Sequence, residues 1–499
     1  MLEPNNATIG KAASAAKWSI AAQLFAKLVS PITTLILARI LTPEAFGVVA
    51  TVTMVVSFAE MFSDAGFQKY LIQHDFRSDG DLYESANIAF WSNFCISITL
   101  WVLIGLFRDE IAVIVGNPGL GIVVLAACAN LPIVSFCSVQ TAIFQRKFNF
   151  KILFIARMAT SVITLLTAVP LAILGFDYWS MIISTVISNL TLSVVLLIKS
   201  DWRPSFFFEF SLFKNMLSFS IWTLFEAFTI WLVSWIGTIV LGALFDAYYL
   251  GLYKTAVSLV ASITSLATSA LNPVIFATLS RFQGDRGRFD SIFYKMQTYL
   301  AVVVVPISLV LLVFREQVVF VLLGEQWIEC ALFFGMYAAA SSLVVVFGHT
   351  ASEAYRSLGK PRLSALSQVV YLLLITPFMI YSAKKGFEFF SWSLPVARVV
   401  FSITIDFAIC KVALNLSPAK MVKSQAVFYS AGAFMVIVSY CCLLITDNVY
   451  LQFAMIFIAF ASYLVVVLLN KSSRVVVFEI LRRFGAVRRV GLLEKVAER

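Results

Sequence analysis

KLVSPITTLILARILTPEAFGVVATVTMVVSFAEMFSDAGFQKYLIQ, residues 27–73, holds two long apolar runs joined by a turn at Thr42-Pro43-Glu44. With the apolar residues that precede it, the stretch supplies two helices of the roughly 20 residues that a hydrocarbon core requires. Lys27, Glu60 and Asp64 stand inside those runs. A charge near a bilayer centre costs roughly 2.5–3.5 kcal/mol on insertion scales, so such groups face a protein interior or a wet cavity. The stretch reads as a transmembrane hairpin that carries an ion site.

The rest of the chain agrees. Of 499 residues, 61% are hydrophobic and 13% charged, and the mean hydropathy is +0.92. A soluble domain is about half apolar and a quarter charged. Apolar windows recur from end to end, without the residue alternation of a membrane barrel. An all-α, polytopic membrane protein is expected. The net charge of +10 sits in short connections and a basic tail, where it sets topology and meets anionic lipid, so no nucleic-acid partner is expected.

The seven cysteines lack metal spacing and read as packing residues. The first seventeen residues have no basic segment directly before an apolar core, so the first helix is expected to stay as an anchor. No nucleophile elbow, phosphate loop, HExxH or paired CxxC occurs. The chain is therefore read as a non-enzyme, with no catalytic residue, cofactor or metal site.

Fourteen helices are expected. The first six lie near 15–39, 47–73, 85–107, 119–145, 151–174 and 178–198, forming an N-terminal bundle over 1–199. A cytoplasmic linker at 200–214 leads to a second six-helix bundle over 215–414, with helices near 215–241, 251–280, 291–314, 330–356, 362–382 and 391–413. Two more helices fill 415–470, near 426–446 and 449–470, and a basic amphipathic tail over 471–499 suits the inner leaflet. Connections after even-numbered helices carry fifteen Lys and Arg against five after odd-numbered ones. Positive loops stay cytoplasmic, so both termini are expected there.

The two sets of six resemble copies. Arg39 to Gly47 closes the first hairpin, and Ala243 to Gly251 closes its counterpart 204 positions later. Glu110 to Gly116 is similarly matched by Glu316 to Gly324, at an offset of 206 to 208. Bundles of even helix number share one orientation, and transporters built from such parallel repeats bind substrate between the halves. The charges are not duplicated, because Trp231 and Thr268 stand 204 positions after Lys27 and Asp64.

Lys27 lies roughly 18 Å from Arg39 and Glu60 roughly 20 Å from Gly47 along their helices, so the two share a depth. Asp64 follows Glu60 by one turn on the same face. The trio is either a static ion pair or a proton or cation coupling site. Arg157, Glu226, and Arg398 with Asp406 are further ionisable groups inside spans; the arginines either snorkel or hold a phosphate or acidic sugar. The row His349, Glu353, Arg356 reads as a helix end in water rather than a metal site. Prolines at 31, 132, 170, 273, 306, 377 and 395 kink spans, as hinges or as static bends.

Ala38 to Gly47, with Phe58 to Phe67 and Leu71-Ile72-Gln73, resembles the bacterial polysaccharide transporter family of the multidrug/oligosaccharidyl-lipid/polysaccharide exporter superfamily. It is most similar to the branch of colanic acid, succinoglycan and xanthan flippases. The resemblance implies flipping of an undecaprenyl-diphosphate-linked oligosaccharide across a bacterial inner membrane, by alternating access of two bundles. On that reading Lys27, Arg157 and Arg398 contact substrate, and Glu60, Asp64 and Glu226 couple transport to an ion gradient. A polysaccharide polymerase and chain-length machinery are expected partners. A peptidoglycan-precursor flippase, a cation-coupled drug exporter and a non-transporting assembly scaffold remain as alternatives.

Overall fold

The computed structural model describes residues 29–64, 66–76, 78–470 and 473–478, together with Trp18 and Phe25. Lys27, residues 1–17 and most of the basic tail lie outside the described residues. The side chains of Asp64 and Glu226 lie outside them as well. The described chain is helical throughout and divides into two compact units, one ending at Lys254 and the other beginning at Thr255. Among the described residues, eleven helices are long and apolar enough to cross a membrane.

The first unit begins with α1 (Val29–Ile40) and α2 (Pro43–Asp64). Thr42 caps α2, its Oγ1 accepting from the Ala45 N–H at 3.4 Å, and Pro43 takes the first helical position, where its missing N–H costs nothing. There follow α3 (Phe67–Gln73), α4 (Asp79–Leu106), α5 (Arg108–Ile114), α6 (Gly121–Cys128), α7 (Asn130–Arg146), α8 (Phe150–Ile173), α9 (Tyr178–Lys199) and α10 (Phe210–Leu244). Helix α11 (Ala247–Arg281) starts in this unit.

Helix α2 is the centre of the unit and packs on α4, α6, α7, α9 and α10. Val48, Val52, Val56 and Ala59 lie along one stripe of α2 and are buried against Val124, Ala127 and Leu131. The linker does not hang free. The Asn87 amide donates to Ser205 Oγ (2.7 Å) and accepts from the Ser205 N–H (3.0 Å), and the Trp91 Nε1–H donates to the Ser205 carbonyl (2.9 Å). Trp202, nearly fully buried, meets Phe90 edge-on at 5.8 Å. These ties, with Trp231 of α10 bonded to Ser57 of α2, explain why α10 packs with the first six spans.

The second unit contains the rest of α11, α12 (Arg286–Val313), α13 (Arg315–Leu322), a 3₁₀ turn (Glu325–Cys330), α14 (Ala331–Leu343), a π-helical turn (Val344–His349), α15 (Thr350–Ser357), α16 (Pro361–Lys384), α17 (Phe387–Leu414), α18 (Pro418–Leu443), α19 (Val449–Ala454) and α20 (Ile456–Leu469). Helix α12 is largely buried and packs on both α14 and α18.

The local anatomy repeats. Short helices α5 and α13 occupy equivalent places and are followed by glycines in the left-handed region, Gly116 (φ 81°) and Gly324 (φ 109°). The α8–α9 and α16–α17 turns likewise contain Gly175 (φ 83°) and Gly386 (φ 101°), a conformation open to glycine at little cost. Both fourth spans are interrupted: the expected helix 119–145 breaks at Ala129, and 330–356 contains the π turn.

Candidate functional site

Glu60 lines a cavity of about 230 Å³ in the first unit, between α2, the α6–α7 break and α9, with apolar walls from residues such as Val52, Val56 and Ile182. Thr53, Ser57, Asn130, Thr185 and Asn189 share the lining. The Asn189 amide donates to Asn130 Oδ1 at 3.1 Å, and the Trp231 indole N–H donates to Ser57 Oγ at 3.0 Å. Glu60 makes no ion pair among the described residues. A carboxylate among amide and hydroxyl oxygens is a hard donor set, suited to a proton or an alkali or alkaline-earth ion rather than a soft metal. No group of three or more His, Cys, Asp or Glu able to hold a metal occurs among the described residues. Trp231, the positional counterpart of Lys27, thus reaches this same cavity wall.

At the far end of α2 the α1–α2 turn meets the α10–α11 turn. A Cβ on Gly47 would overlap the carbonyl oxygen of Ala247, and a Cβ on Gly251 would overlap that of Pro43. Gly47 and Gly251 are 204 positions apart, as are Pro43 and Ala247, so equivalent atoms of the two turns touch each other reciprocally. Cα–H···O contacts of this closeness are open to glycine alone at both places. Gly116 packs likewise on the Gly242 carbonyl, and Asn117 Nδ2 donates to Thr51 Oγ1.

One turn along from Gly251 lies Lys254, whose ammonium sits 3.7 Å from the centroid of the Trp235 ring. An indole face attracts a cation without neutralising it. This lysine was missing from the sequence-based candidates, although a lysine three residues inside an apolar span (251–280) is itself a signal.

Arg157 is exposed on α8, with no side-chain partner among the described residues; its backbone carbonyl accepts the hydroxyls of Thr160 and Ser161. In the second unit Arg398 is half-buried on α17. Its Nη1 donates to Ser341 Oγ at 3.2 Å, its guanidinium lies 4.3 Å over the Tyr337 ring, and it shares a hydrogen bond with Tyr371. The plane of the fork is thereby fixed, the arrangement in which arginine recognises a phosphate or carboxylate.

Asp406 is buried roughly two turns further along α17, where Oδ1 accepts from the Tyr355 hydroxyl at 3.3 Å. Its other oxygen presses on the π turn, 2.9 Å from where a Cβ on Gly348 would stand. The neighbouring His349 is exposed. Glu353 is buried rather than in water, and its carboxylate pairs with the Arg356 guanidinium at 2.6 Å.

Fold and site together define a multi-pass, all-helical membrane protein built from two repeats. A TM-score of 0.74 relates it to the lipid II flippase MurJ in an inward closed conformation, at 14% identity over 91% of this chain and 98% of that one. An inward-facing multidrug resistance MATE family transporter of the MOP superfamily follows at 0.57, with 14% identity over 84% and 98%. The family model described as "Polysaccharide biosynthesis protein" matches residues 36–332, and the chain belongs to that family. It is 24% identical over 329 residues to the succinoglycan biosynthesis transport protein ExoT of Rhizobium meliloti, spanning 66% of this chain and 65% of ExoT. It is 23% identical over 327 residues to the lipopolysaccharide biosynthesis protein WzxC of Escherichia coli, at 64% of each. The aligned part thus spans just under two thirds of the length of these relatives.

Proposed function

We propose that the protein is a flippase that carries an undecaprenyl-diphosphate-linked oligosaccharide repeat unit from the cytoplasmic to the periplasmic leaflet of a bacterial inner membrane, for exopolysaccharide or surface polysaccharide assembly. Family membership, the relatives named for succinoglycan transport and lipopolysaccharide biosynthesis, and a fold like that of a lipid II flippase support this reading. The observation that carries the mechanism is the reciprocal glycine seam between the α1–α2 and α10–α11 turns.

With both termini cytoplasmic, that seam, formed within the first unit, closes the periplasmic end of the transport path. Parting the two turns opens the path outward. Lys254 waits directly beneath the seam on Trp235, while Arg398, Arg157 and Lys27 supply further cations for diphosphate or acidic sugar. Glu60, Asp64 and Glu226 take up the coupling ion, the Glu60 cavity providing the hard oxygen donors. The chain performs no covalent chemistry on its substrate. The polymerase and chain-length machinery receive the flipped unit, and the basic tail holds anionic lipid.

Removing the protein from its host tests this proposal. Polymer should disappear while lipid-linked repeat units accumulate on the cytoplasmic leaflet. Normal polymer together with new drug sensitivity would overturn it in favour of drug export.

A further inference from the structure

Each unit carries an apolar groove at the same place in its repeat. In the first unit it lies between α7 and α9, with a volume of about 280 Å³, walled by Ile133, Phe136, Leu190, Ser193 and Val194. In the second it lies between α14 and α17, with Leu309 of α12 and Tyr429 of α18 also on its wall, at about 310 Å³, and includes Ala339, Ser342, Val396, Val399 and Val400. Each residue of the first set stands 206 positions before its counterpart in the second. The side chains differ, as in Phe136 against Ser342, so the duplication has kept the hollow and its apolar lining rather than particular residues.

The cause is in the backbone. Pro132 lines one groove beside the α6–α7 break, and Pro395 lines the other inside α17. Pro395 removes a hydrogen bond inside α17 and bends that span, while Pro132 sits in the first turn of α7, where the α6–α7 break already interrupts the helix; each place leaves a concavity. Both hollows open on the surroundings of the bundle, since Val194 and Val400 are half exposed. Water gains nothing in so apolar a hollow, and an empty one forfeits the dispersion contacts of its lining. In a bilayer the filler of matching chemistry is a hydrocarbon chain.

We propose that the two grooves each hold one acyl chain of a membrane phospholipid, wedged beside the proline. A polar group identifies the source. Gln140 lines the Arg146 end of the first groove and is 1% exposed, yet neither Nε2 nor Oε1 has a hydrogen-bond partner among the described residues. A glycerophospholipid brings ester carbonyls that accept from such an amide, whereas a polyprenyl chain has no oxygen before its phosphate. Lys199 is exposed two residues beyond Leu197 of the same groove, in place for the lipid phosphate. This assignment is independent of what the protein transports.

The test uses the full chain, purified in mild detergent with phosphatidylglycerol, and counts retained lipids by native mass spectrometry. Two phospholipids should survive washing in the wild type, one in Val194→Phe, one in Val400→Phe and none in the double variant. Wild-type protein in vesicles doped with a phosphatidylglycerol carrying a diazirine on its acyl chain gives a reading that no variant can spoil. Crosslinks should concentrate at 190–197 and 396–400. Equal lipid counts in all four proteins, crosslinks spread evenly over the helices, or recovery of a polyprenyl phosphate from the grooves would overturn the assignment.

Discussion

The α-carbon of Gly47 lies against the carbonyl oxygen of Ala247, and its repeat counterpart Gly251 lies against the carbonyl of Pro43, so the two turns close on each other as a local two-fold pair. Neither contact survives a methyl group without moving backbone. Forcing an extra carbon into such packing costs about 1–3 kcal/mol, and each 1.4 kcal/mol is about tenfold in a conformational equilibrium. Gly47→Ala and Gly251→Ala are therefore expected to depopulate the closed seam about tenfold each while leaving the helices folded. The measurement is labelling of Ser57→Cys by a membrane-impermeant thiol reagent from the periplasmic side, which should accelerate in both variants. Unchanged labelling in both would remove the seam from the mechanism.

Glu60 offers a different handle. Glu60→Gln keeps the volume of the side chain and removes its charge, so a coupling role appears as loss of gradient dependence rather than loss of fold. Transport in vesicles should become insensitive to an imposed proton or sodium gradient, with Asn130→Leu giving a milder version. If Glu60→Gln responds to both gradients like the wild type, Glu60 is a structural acid.

Arg398 is held by Tyr337, Ser341 and Tyr371, and its planar fork is what these contacts orient. Lysine supplies the charge without the plane. Arg398→Lys should weaken the apparent affinity for a diphosphate-linked substrate about tenfold to a hundredfold, the range of about 1.5–3 kcal/mol for a charged hydrogen bond. Arg157, exposed and unpartnered among the described residues, should tolerate the same change. Equal sensitivity at both positions would mean that bulk charge, not geometry, is recognised.

The Tyr355–Asp406 contact makes a purely structural prediction. Tyr355→Phe deletes one buried hydrogen bond and should cost about 1–3 kcal/mol, because the carboxyl is left unsatisfied. Gly348→Ala pushes on the other carboxyl oxygen and should cost a similar amount. Thermal melting in detergent reads both. A melting temperature unmoved by either substitution would show that Asp406 has water or another partner instead.

Much of this fold was legible in sequence because a bilayer enforces apolar length. The Thr42-Pro43 cap, the apolar windows and the 204-residue offset of the two turns all follow from local chemistry. What sequence missed depends on contacts between helices. The π turn at 344–349 packs against Asp406, whose carboxylate lies on Gly348 from a different helix. Lys254 is stabilised by Trp235, which lies on a different helix. Depth along a helix placed Arg157 and Arg398 in similar terms, yet only the packed structure separates an exposed arginine from one clamped by two tyrosines. The Lys27–Glu60 pair rests on Lys27, outside the described residues.

The most direct measurement is translocation by the purified protein in vesicles of an undecaprenyl-diphosphate-linked oligosaccharide, followed as protection from an added glycan-cleaving enzyme. Wild type should move the lipid faster than empty vesicles, and Glu60→Gln and Arg398→Ala should each slow it at least tenfold. A rate equal to that of protein-free vesicles, across a panel of such lipid-linked oligosaccharides, would contradict the account.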